Sequence, residues 1–380
     1  MDKIYLQELK NYNSVEELEK IGFDRSYLLQ ASKKYESRTL KICSLKAIEA
    51  NILKQTALSL GSDCAVHKNV ILNTEGEFDS IICATDAIFL KIAEKLKQQQ
   101  FRLKNVAEEI IKTFEKNSSK IKIGEETFNF AQKKYIMGIL NLTPDSFSDG
   151  GKYFTPNAAI EQYKKLINDG ADIIDIGAES TRPNFKPISP DEEIERLKII
   201  FNNEDFKADK TPKSIDTFNY KTAEFAIKNS IDIINDVTGF TDKNMITLAA
   251  DTQKPIIVMF NQKILPDTNT DTFSQMYDFF VQRIDELATA GVKAENIIID
   301  CGFGFFKNNE ENVKMLDWMT NLKNLKCPIL LGISRKSFFK FINADADKDQ
   351  LSALLAAKYV NDYDIVRVHN VLAHSPIKFL

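Results

Sequence analysis

The 380-residue chain is longer than one average domain, which predicts two domains, one of them large enough for a barrel of about 250 residues. Its 43% hydrophobic and 27% charged residues are typical of globular proteins and exclude a disordered or fibrous chain. The net charge of -4 and the pI near 5.7 argue against a general nucleic-acid surface, although a small anion needs only a few cations in one pocket.

The cysteines and the N-terminal segment predict where the protein resides. Neither a secretory signal nor an uncharged apolar run of about 18 residues occurs, so no membrane partner is expected. No cysteine pair has the spacing of a zinc or redox motif, which fits a reducing cytoplasm. The five cysteines are Cys43, Cys64, Cys83, Cys301 and Cys327.

Residues 1–130 predict a small α/β domain of unknown role. Helices are expected at 13–34, 47–60, 87–100 and 104–116, and strands at 38–45, 70–73 and 80–85. The polar run at 116–126 predicts a linker to a second domain at 131–380. Asp63, Cys64 and His67 lie close together, but a buried thiol beside a loop histidine is favoured over a metal site because no second ligand pair is present.

Residues 131–380 repeat a unit of a short apolar strand, a loop and an amphipathic helix. Continuous apolar strands that alternate with helices indicate a parallel sheet covered on its faces, and eight such units predict a closed (β/α)8 TIM barrel. The eight strands are expected at 136–140, 172–176, 213–216, 232–236, 255–260, 296–300, 328–333 and 364–368.

Helix end signals support this register. Thr155 and Pro156 predict a helix start that Gly170 closes, and Gly291 ends a helix that begins at Thr272. Ser189, Pro190 and Glu192 predict a capping box.

Polar residues follow nearly every predicted barrel strand. Any one of them could simply cap the next helix, but the same feature at eight strands favours a functional site, because the carboxyl ends of barrel strands surround one mouth. These residues are Asn141, 179–183, Asp216, Asn235, Asn261, Asp300, 334–337, Arg367 and His369.

Seven motifs together resemble those of the dihydropteroate synthase family and cover the whole barrel in the family's order. They are MGILNLTPDSFSDGG (137–151), GADIIDIGAESTRP (170–183), SIDT (214–217), NDVTG (235–239), IIDCGFGF (298–305), GISRKSF (332–338) and VRVHN (366–370). The resemblance implies a barrel enzyme that condenses 6-hydroxymethyl-7,8-dihydropterin pyrophosphate with p-aminobenzoate, releases pyrophosphate and uses Mg²⁺.

The chemistry of a pterin fits the residues that match the family. The hydrogen-bonding edge of a pterin suits a carboxylate that accepts two parallel hydrogen bonds and an amide that can both donate and accept. Asp300 and Asn235 are the residues that this indicates. The resemblance implies that Asp216 binds the other ring's N–H, that Lys336 donates to the pterin carbonyl, and that Met259 lies against the ring.

Departure of pyrophosphate needs positive charge in place beforehand. By resemblance, Arg367 and His369 meet the leaving group, with the Arg367 guanidinium also able to stack on the pterin, and Asn141 is a ligand of Mg²⁺. His369 could instead be a simple buried histidine.

The glycine- and proline-containing loops after the first two barrel strands are suited to exclude water from a cationic pterin methylene. The resemblance implies that Asp149 stabilises positive charge and that Arg182 positions the acceptor or the phosphate. With Lys336, these are the implied catalytic residues. Implied p-aminobenzoate contacts are Phe147, Thr181, Arg182, Pro183, Phe305 and Ser337. The resemblance also implies inhibition by sulfonamides and a homodimer.

Several positions depart from the family's usual pattern, although none of them is an expected substrate contact. The strand-five end VMFNQ lacks the usual methionine-histidine pair. The single departures are Ala178, Asn184, Cys301, Phe306 and Asn370.

Two other functions share part of this pattern. A methyltetrahydrofolate-dependent corrinoid methyltransferase has the barrel and a pterin clamp but needs no pyrophosphate site, so the NLTPDSFSDGG, SRKS and RVH motifs argue against it. A non-enzymatic binding barrel would have broken catalytic positions, and these positions are filled.

Overall fold

The structure is a computed structural model that describes residues 13–72, 75–114, 120–143, 156–179, 188–267 and 270–380. The chain forms two compact units, Met1–Glu115 and Lys116–Leu380. Within the described ranges, every helix is too short or too polar to cross a membrane.

The first unit is a three-stranded antiparallel sheet with helices packed against it, in the strand order β1-β3-β2. Its core includes Leu53, Ile82, Phe89 and Leu96, all fully buried. The elements are α1 Ser14–Lys20, α2 Leu28–Ser32, β1 Ser37–Lys46, α3 Ala47–Leu58, β2 Asp63–Val66, β3 Glu77–Thr85, α4 Asp86–Leu96 and α5 Leu103–Phe114.

The strand predicted at 70–73 is wrong over its described residues, 70–72. Lys68–Val70 is instead a 3-10 turn, and Nδ1 of His67 accepts a hydrogen bond from Asn69 N at 3.2 Å. Ile71 and Leu72 are 81% and 85% exposed, so the apolar run does not bury alternate residues as a strand of this sheet would. The third strand is β2, which lies earlier in the chain.

The second unit contains the expected barrel, and its eight parallel strands β6–β13 close in sequence order. All eight predicted strands are confirmed. They are β6 Tyr135–Asn141, β7 Ile173–Gly177, β8 Lys213–Asp216, β9 Ile233–Asp236, β10 Ile256–Met259, β11 Ile297–Asp300, β12 Ile329–Leu331 and β13 Ile365–Val368.

Gly170, Gly291 and Ser189 end or begin helices as predicted, whereas Thr155 lies outside the described residues and the predicted capping box has only its Ser189 half. Gly170 and Gly291 lie just after α6 and α11 with φ of +100° and +101°, a conformation that favours glycine. Ser189 caps α7, with its Oγ accepting from Glu192 N at 3.2 Å. The helices are α6 Pro156–Asn168, α7 Pro190–Phe201, α8 Glu204–Ala208, α9 Tyr220–Lys228, α10 Lys243–Thr252, α11 Thr272–Thr289, α12 Asn309–Trp318, α13 Phe339–Ile342, α14 Lys348–Lys358 and α15 Val371–His374.

The run predicted as a linker is wrong from Lys120 onward, because it forms a hairpin that belongs to the barrel unit. β4 Lys120–Ile123 pairs with β5 Glu126–Asn129 through a two-residue turn, in which Gly124 has a φ of +61°. Ile121, Ile123 and Phe128 are buried with the first residues of the barrel strands, such as Ile233. The hairpin therefore covers the amino-terminal end of the barrel.

Phe128 anchors this hairpin, since it is fully buried and its ring lies 4.3 Å from that of Tyr135. We expect Phe128→Ala to lower the free energy of unfolding by about 3–5 kcal/mol, because it removes a buried aromatic ring and leaves a cavity. Urea unfolding is the measurement. The control is Phe379→Ala, which truncates a side chain that is 90% exposed. Equal effects of the two substitutions would contradict a structural role for the hairpin.

Candidate active site

The carboxyl ends of the barrel strands surround an open cavity. Seven residues predicted from the sequence line it together, which is the arrangement expected at the mouth of a TIM barrel. Val237, Phe303 and Gly332 complete its wall. The seven are Asp216, Asn235, Met259, Asp300, Phe305, Lys336 and Arg367.

Arg367, on β13, joins two carboxylates from other strands. Its Nε donates to Asp175 Oδ2 at 2.6 Å, and its Nη2 donates to Asp216 Oδ2 at 2.5 Å. Burial disfavours the charged guanidinium, but Asp175 and Asp216 outweigh burial and raise the pKa of Arg367. The site therefore contains a permanent cation.

Asp175 was not predicted as a site residue. It lies in the middle of β7, whose five residues are all buried, and its side chain has no exposed surface. Its Oδ2 also accepts a hydrogen bond from Asn235 Nδ2 at 3.2 Å. The signal was present in the sequence, because a carboxylate inside an otherwise apolar strand needs a partner.

Asp300 ends β11 and is 6% exposed. Its Oδ1 accepts from Gly302 N at 2.8 Å, while burial raises its pKa. Gly302 has a φ of +72°, and a Cβ there would meet the carbonyl oxygen of Phe260 at 1.8 Å. Only glycine fits this turn, which fixes the carboxylate at the cavity wall.

Asp216, at the end of β8, has a protonation equilibrium near neutrality. Burial raises its pKa to about 7, with the charge of Arg367 opposing the shift and that of Asp175 adding to it. The hydrogen-bonding state of this carboxyl group therefore responds to a change in its surroundings near pH 7.

Lys336 lies over the aromatic ring of Phe305, with its Nζ 4.6 Å from the ring centroid. Burial, followed by the positive charge of Arg367, lowers the pKa of Lys336 to about 8. Gly304 makes room for this lysine, because a Cβ at that position would lie 2.9 Å from Lys336 Cδ. The lysine is charged at neutral pH but close to its titration.

His369 follows β13, and its Nδ1 lies 3.0 Å from Ser334 Oγ. Burial, together with the positive charges of Arg335, Arg367 and Lys336, lowers the pKa of His369 to about 3. The imidazole is therefore neutral at physiological pH. It can exchange hydrogen bonds with a phosphate, but it does not add the second resident cation that the sequence suggested.

Besides His369, two predicted residues of the described part of the chain, Asn141 and Ser337, do not line the cavity. Asn141 is half-buried at the end of β6. A Cβ added to Gly177 would lie 3.5 Å from Asn141 Oδ1 and 3.6 Å from Asp216 Cβ, so Gly177 separates these two side chains by little more than the space of one Cβ. Ser337 is exposed beside Lys336. The predicted Phe147, Asp149, Thr181, Arg182 and Pro183, like Asn184, lie outside the described residues.

Two departures from the family pattern are neighbours in space. Phe306 replaces a usual glycine and is 2% exposed, and its ring centroid lies 6.0 Å from that of Phe260, in the VMFNQ segment. The ring centroid of Phe303 lies 6.1 Å from that of Phe306. The aromatic side chains thus fill a shared volume behind the cavity wall.

The candidate cluster in the first unit has a structural explanation. Cys64 is buried, which raises the pKa of its thiol to about 11, while His67 caps a turn and stacks on Phe78 with centroids 5.4 Å apart. Among the described residues, no three His, Cys, Asp or Glu side chains are arranged to hold a metal ion.

Residues 137–369 match the family model described as pterin binding enzyme, which covers most of the barrel unit and more than half of the chain. The chain belongs to the pterin-binding enzyme family. This match and the closed barrel confirm the family and the fold predicted from the motifs.

Relatives within this family differ in how much of the chain they match. A dihydropteroate synthase of Clostridium beijerinckii is 41% identical over 265 residues, covering 67% of this chain and 96% of that protein. A bifunctional dihydropteroate synthase/dihydropteroate reductase of Helicobacter pylori is 32% identical over 367 residues, covering 94% of this chain and 93% of that protein. A solved structure of Xanthomonas albilineans dihydropteroate synthase with 4-aminobenzoic acid is 31% identical, with a TM-score of 0.62 and coverage of 69% and 96%.

The pKa of Lys336 predicts how pterin affinity depends on pH. The family resemblance implies that Lys336 donates to the pterin carbonyl. As the pH rises through about 8, Lys336 loses its proton and would lose this charge-assisted hydrogen bond, so we expect affinity for 6-hydroxymethylpterin to fall about tenfold between pH 7 and pH 9.5. Isothermal titration calorimetry measures this. Lys336→Arg stays charged over the range, so it separates titration of the ligand from that of the lysine. The same pH dependence in both proteins would contradict the prediction.

Proposed function

We infer that the chain is a dihydropteroate synthase, which joins 6-hydroxymethyl-7,8-dihydropterin pyrophosphate to p-aminobenzoate and releases pyrophosphate. The single observation that supports this most strongly is the cavity at the barrel mouth, where Asp300, Asn235, Lys336 and Arg367 face one another in a chain of the pterin-binding family. The named relatives are synthases rather than corrinoid methyltransferases, which favours the transferase over that alternative.

Pterin recognition is assigned to the polar wall of the cavity. Asp300 accepts hydrogen bonds from the donor edge of the pterin, and Asn235 binds beside it through the amide oxygen. Asp216 accepts from the N–H of the second ring, and Lys336 donates to the carbonyl. Met259 lies against the ring face. Support comes from the burial of these groups, because a buried polar wall rejects ligands that leave it unpaired.

Bond breaking places negative charge on the departing pyrophosphate. Arg367 is held in position before that charge appears, so no reorganisation is needed in the transition state. Neutral His369 adds a hydrogen bond to the phosphate. The pterin methylene develops cationic character as the bond to oxygen lengthens, and the acceptor amine then attacks that carbon in a substitution of dissociative character.

The acceptor site is assigned to the Phe305 side of the cavity. Phe305 offers a ring face, and Lys336 lies over it as a nearby cation for an anionic benzoate. Ser337, Phe147, Thr181, Arg182 and Pro183 complete the site on the resemblance alone, and Asp149 stabilises the cationic methylene. A sulfonamide, which presents an aniline and an anionic head, competes for this site.

Asn141 is the proposed protein ligand of Mg²⁺. Its side chain is half-buried at the carboxyl end of β6, beside the cavity. One neutral oxygen fits an ion that keeps most of its waters and prefers phosphate oxygens. When bound, Mg²⁺ supplies charge neutralisation to the pyrophosphate.

The proposed location is the cytoplasm, in agreement with five free cysteines. The proposed assembly is a homodimer formed through helices of the outer barrel wall. Leu354 on α14 and Leu372 on α15 are 67% and 61% exposed, which supports a contact on that wall. Sedimentation velocity measures the mass, and a monomer at micromolar concentration contradicts the dimer.

The activity is tested by pyrophosphate release from the full chain with pterin pyrophosphate, Mg²⁺ and p-aminobenzoate. We expect release that requires the acceptor and that falls at least about 100-fold in Arg367→Ala, because the charge that stabilises the leaving group is lost. Arg38→Ala is the control, since this arginine of the first unit also makes two hydrogen bonds to a carboxylate, that of Asp86. Folded protein that binds pterin but releases no pyrophosphate would contradict the assignment.

A second activity, reduction of dihydropteroate, is proposed for the full chain. The Helicobacter pylori relative, whose name includes a dihydropteroate reductase, matches 94% of this chain, whereas the Clostridium beijerinckii synthase matches 67%. The first unit is therefore shared with the bifunctional relative.

The test supplies 7,8-dihydropteroate with a reduced nicotinamide or a reduced flavin and follows tetrahydropteroate by chromatography. We expect tetrahydropteroate with at least one of the two electron donors. Its formation should persist in Arg367→Ala, because reduction by the first unit would not depend on the pyrophosphate chemistry. No product with either donor contradicts the second activity and leaves the synthase assignment intact.

A further inference from the structure

We propose that Asp175 is a positioning residue that fixes Arg367 and Asn235 for the synthase reaction. It touches no part of the substrate in this account and acts through these two neighbours. The proposal rests on the synthase activity assigned to the same cavity.

The contacts of Asp175 differ from those of two other buried or half-buried aspartates of the barrel unit, Asp236 and Asp172. Asp236 accepts bonds from the backbone N–H groups of Thr238 and Phe240, and Asp172 accepts one from Ile136 N. These two carboxylates therefore stabilise the backbone conformation. Among the residues that the structure describes, Asp175 has hydrogen bonds only to the side chains of Arg367 and Asn235, both of which line the cavity.

Burial makes this arrangement costly for stability alone. Asp175 has no exposed surface, and its Oδ1 has no hydrogen-bond partner among the described residues. An incompletely paired carboxylate inside a barrel destabilises the fold relative to an apolar residue of similar size. A function in the site accounts for its position better than stability does.

Asp175 makes one of the two carboxylate contacts that hold the guanidinium of Arg367. Nε is bound by Asp175 and Nη2 by Asp216, which sets the plane of the guanidinium, while Nη1 makes no hydrogen bond to a described residue. Without Asp175, the guanidinium can rotate about the Asp216 contact. Its charge would remain, but its alignment with the leaving group would be lost.

For Asn235, Asp175 sets the direction of the amide. A carboxylate oxygen accepts but cannot donate, so Nδ2 must be the amide atom that faces Asp175. Oδ1 is then directed away from Asp175. Asn235 therefore offers the pterin an acceptor, which selects a donor on the ligand.

The test measures kcat and KM for Asp175→Asn, Arg367→Ala and the double variant, together with the affinity for 6-hydroxymethylpterin by calorimetry. We expect Asp175→Asn to lower kcat about 10–100-fold, with KM for p-aminobenzoate unchanged within about twofold. In the Arg367→Ala background the same substitution should change kcat less than about threefold. Pterin affinity should also fall, because the amide of Asn235 loses its fixed direction.

Ser214→Ala is the matched control. Ser214 is paired with Asp175 in the strand register, and its buried hydroxyl has no partner among the described residues. It should leave kcat and pterin affinity unchanged. Arg367→Lys is a second variant that retains the charge but lacks the planar fork, and we expect most of the loss seen with Arg367→Ala.

Three results would overturn the proposal: an unaltered kcat in Asp175→Asn, an equal loss of kcat with and without Arg367, or full activity of Arg367→Lys. A wild-type chain without acceptor-dependent release would instead refute the synthase assignment. The calorimetric comparison of wild type with Asp175→Asn would still decide whether Asp175 organises the pterin site, since unchanged affinity contradicts it.

Discussion

The ion pairs of Arg367 with Asp175 and Asp216 are the interaction on which the site depends. They connect β13 with β7 and β8, which are not its neighbours in the sheet, so the contact crosses the barrel mouth. Backbone pairing and apolar packing of the strands bring these groups together, and the charges then compensate one another in a largely buried place. A fixed cation next to the cavity is the result, and the proposed pyrophosphate chemistry needs such a cation.

Burial also sets the protonation of the surrounding groups. It raises the pKa of Asp216 and Asp300 and lowers that of Lys336 and His369. A cluster of shifted titratable groups in one cavity is typical of an active site, where polar groups are held ready for a ligand at the expense of stability. The β4–β5 hairpin lies at the opposite end of the barrel, and its buried residues are apolar rather than titratable. They contribute to the stability of the fold and not to chemistry.

The sequence predicted the barrel well because each strand is a short apolar run and each helix carries its own end signals. The convergence of strand ends predicted five of the seven cavity residues, whereas Met259 and Phe305 were expected from the family resemblance alone. The sequence missed the β4–β5 hairpin, whose alternating KIKI segment is short and charged, and it placed a strand at 70–73 where His67 caps a turn. Asp175 interrupts an apolar strand, which marks it in the sequence, but its partners Arg367 and Asn235 come from distant strands and appear only in the fold. The neutral state of His369 follows mainly from burial, in agreement with the buried histidine that the sequence left open. The packing of Phe306 on Phe260 likewise appears only when the loops are assembled.

A crystal structure of the full chain with a bound pterin tests the central claim most directly. We expect a pterin inside the barrel mouth, its donor edge about 3 Å from Asp300 and from the Asn235 oxygen, with Arg367 still bound to Asp175. A pterin bound elsewhere, or one in the cavity with no hydrogen bond to Asp300 and Asn235, would contradict it.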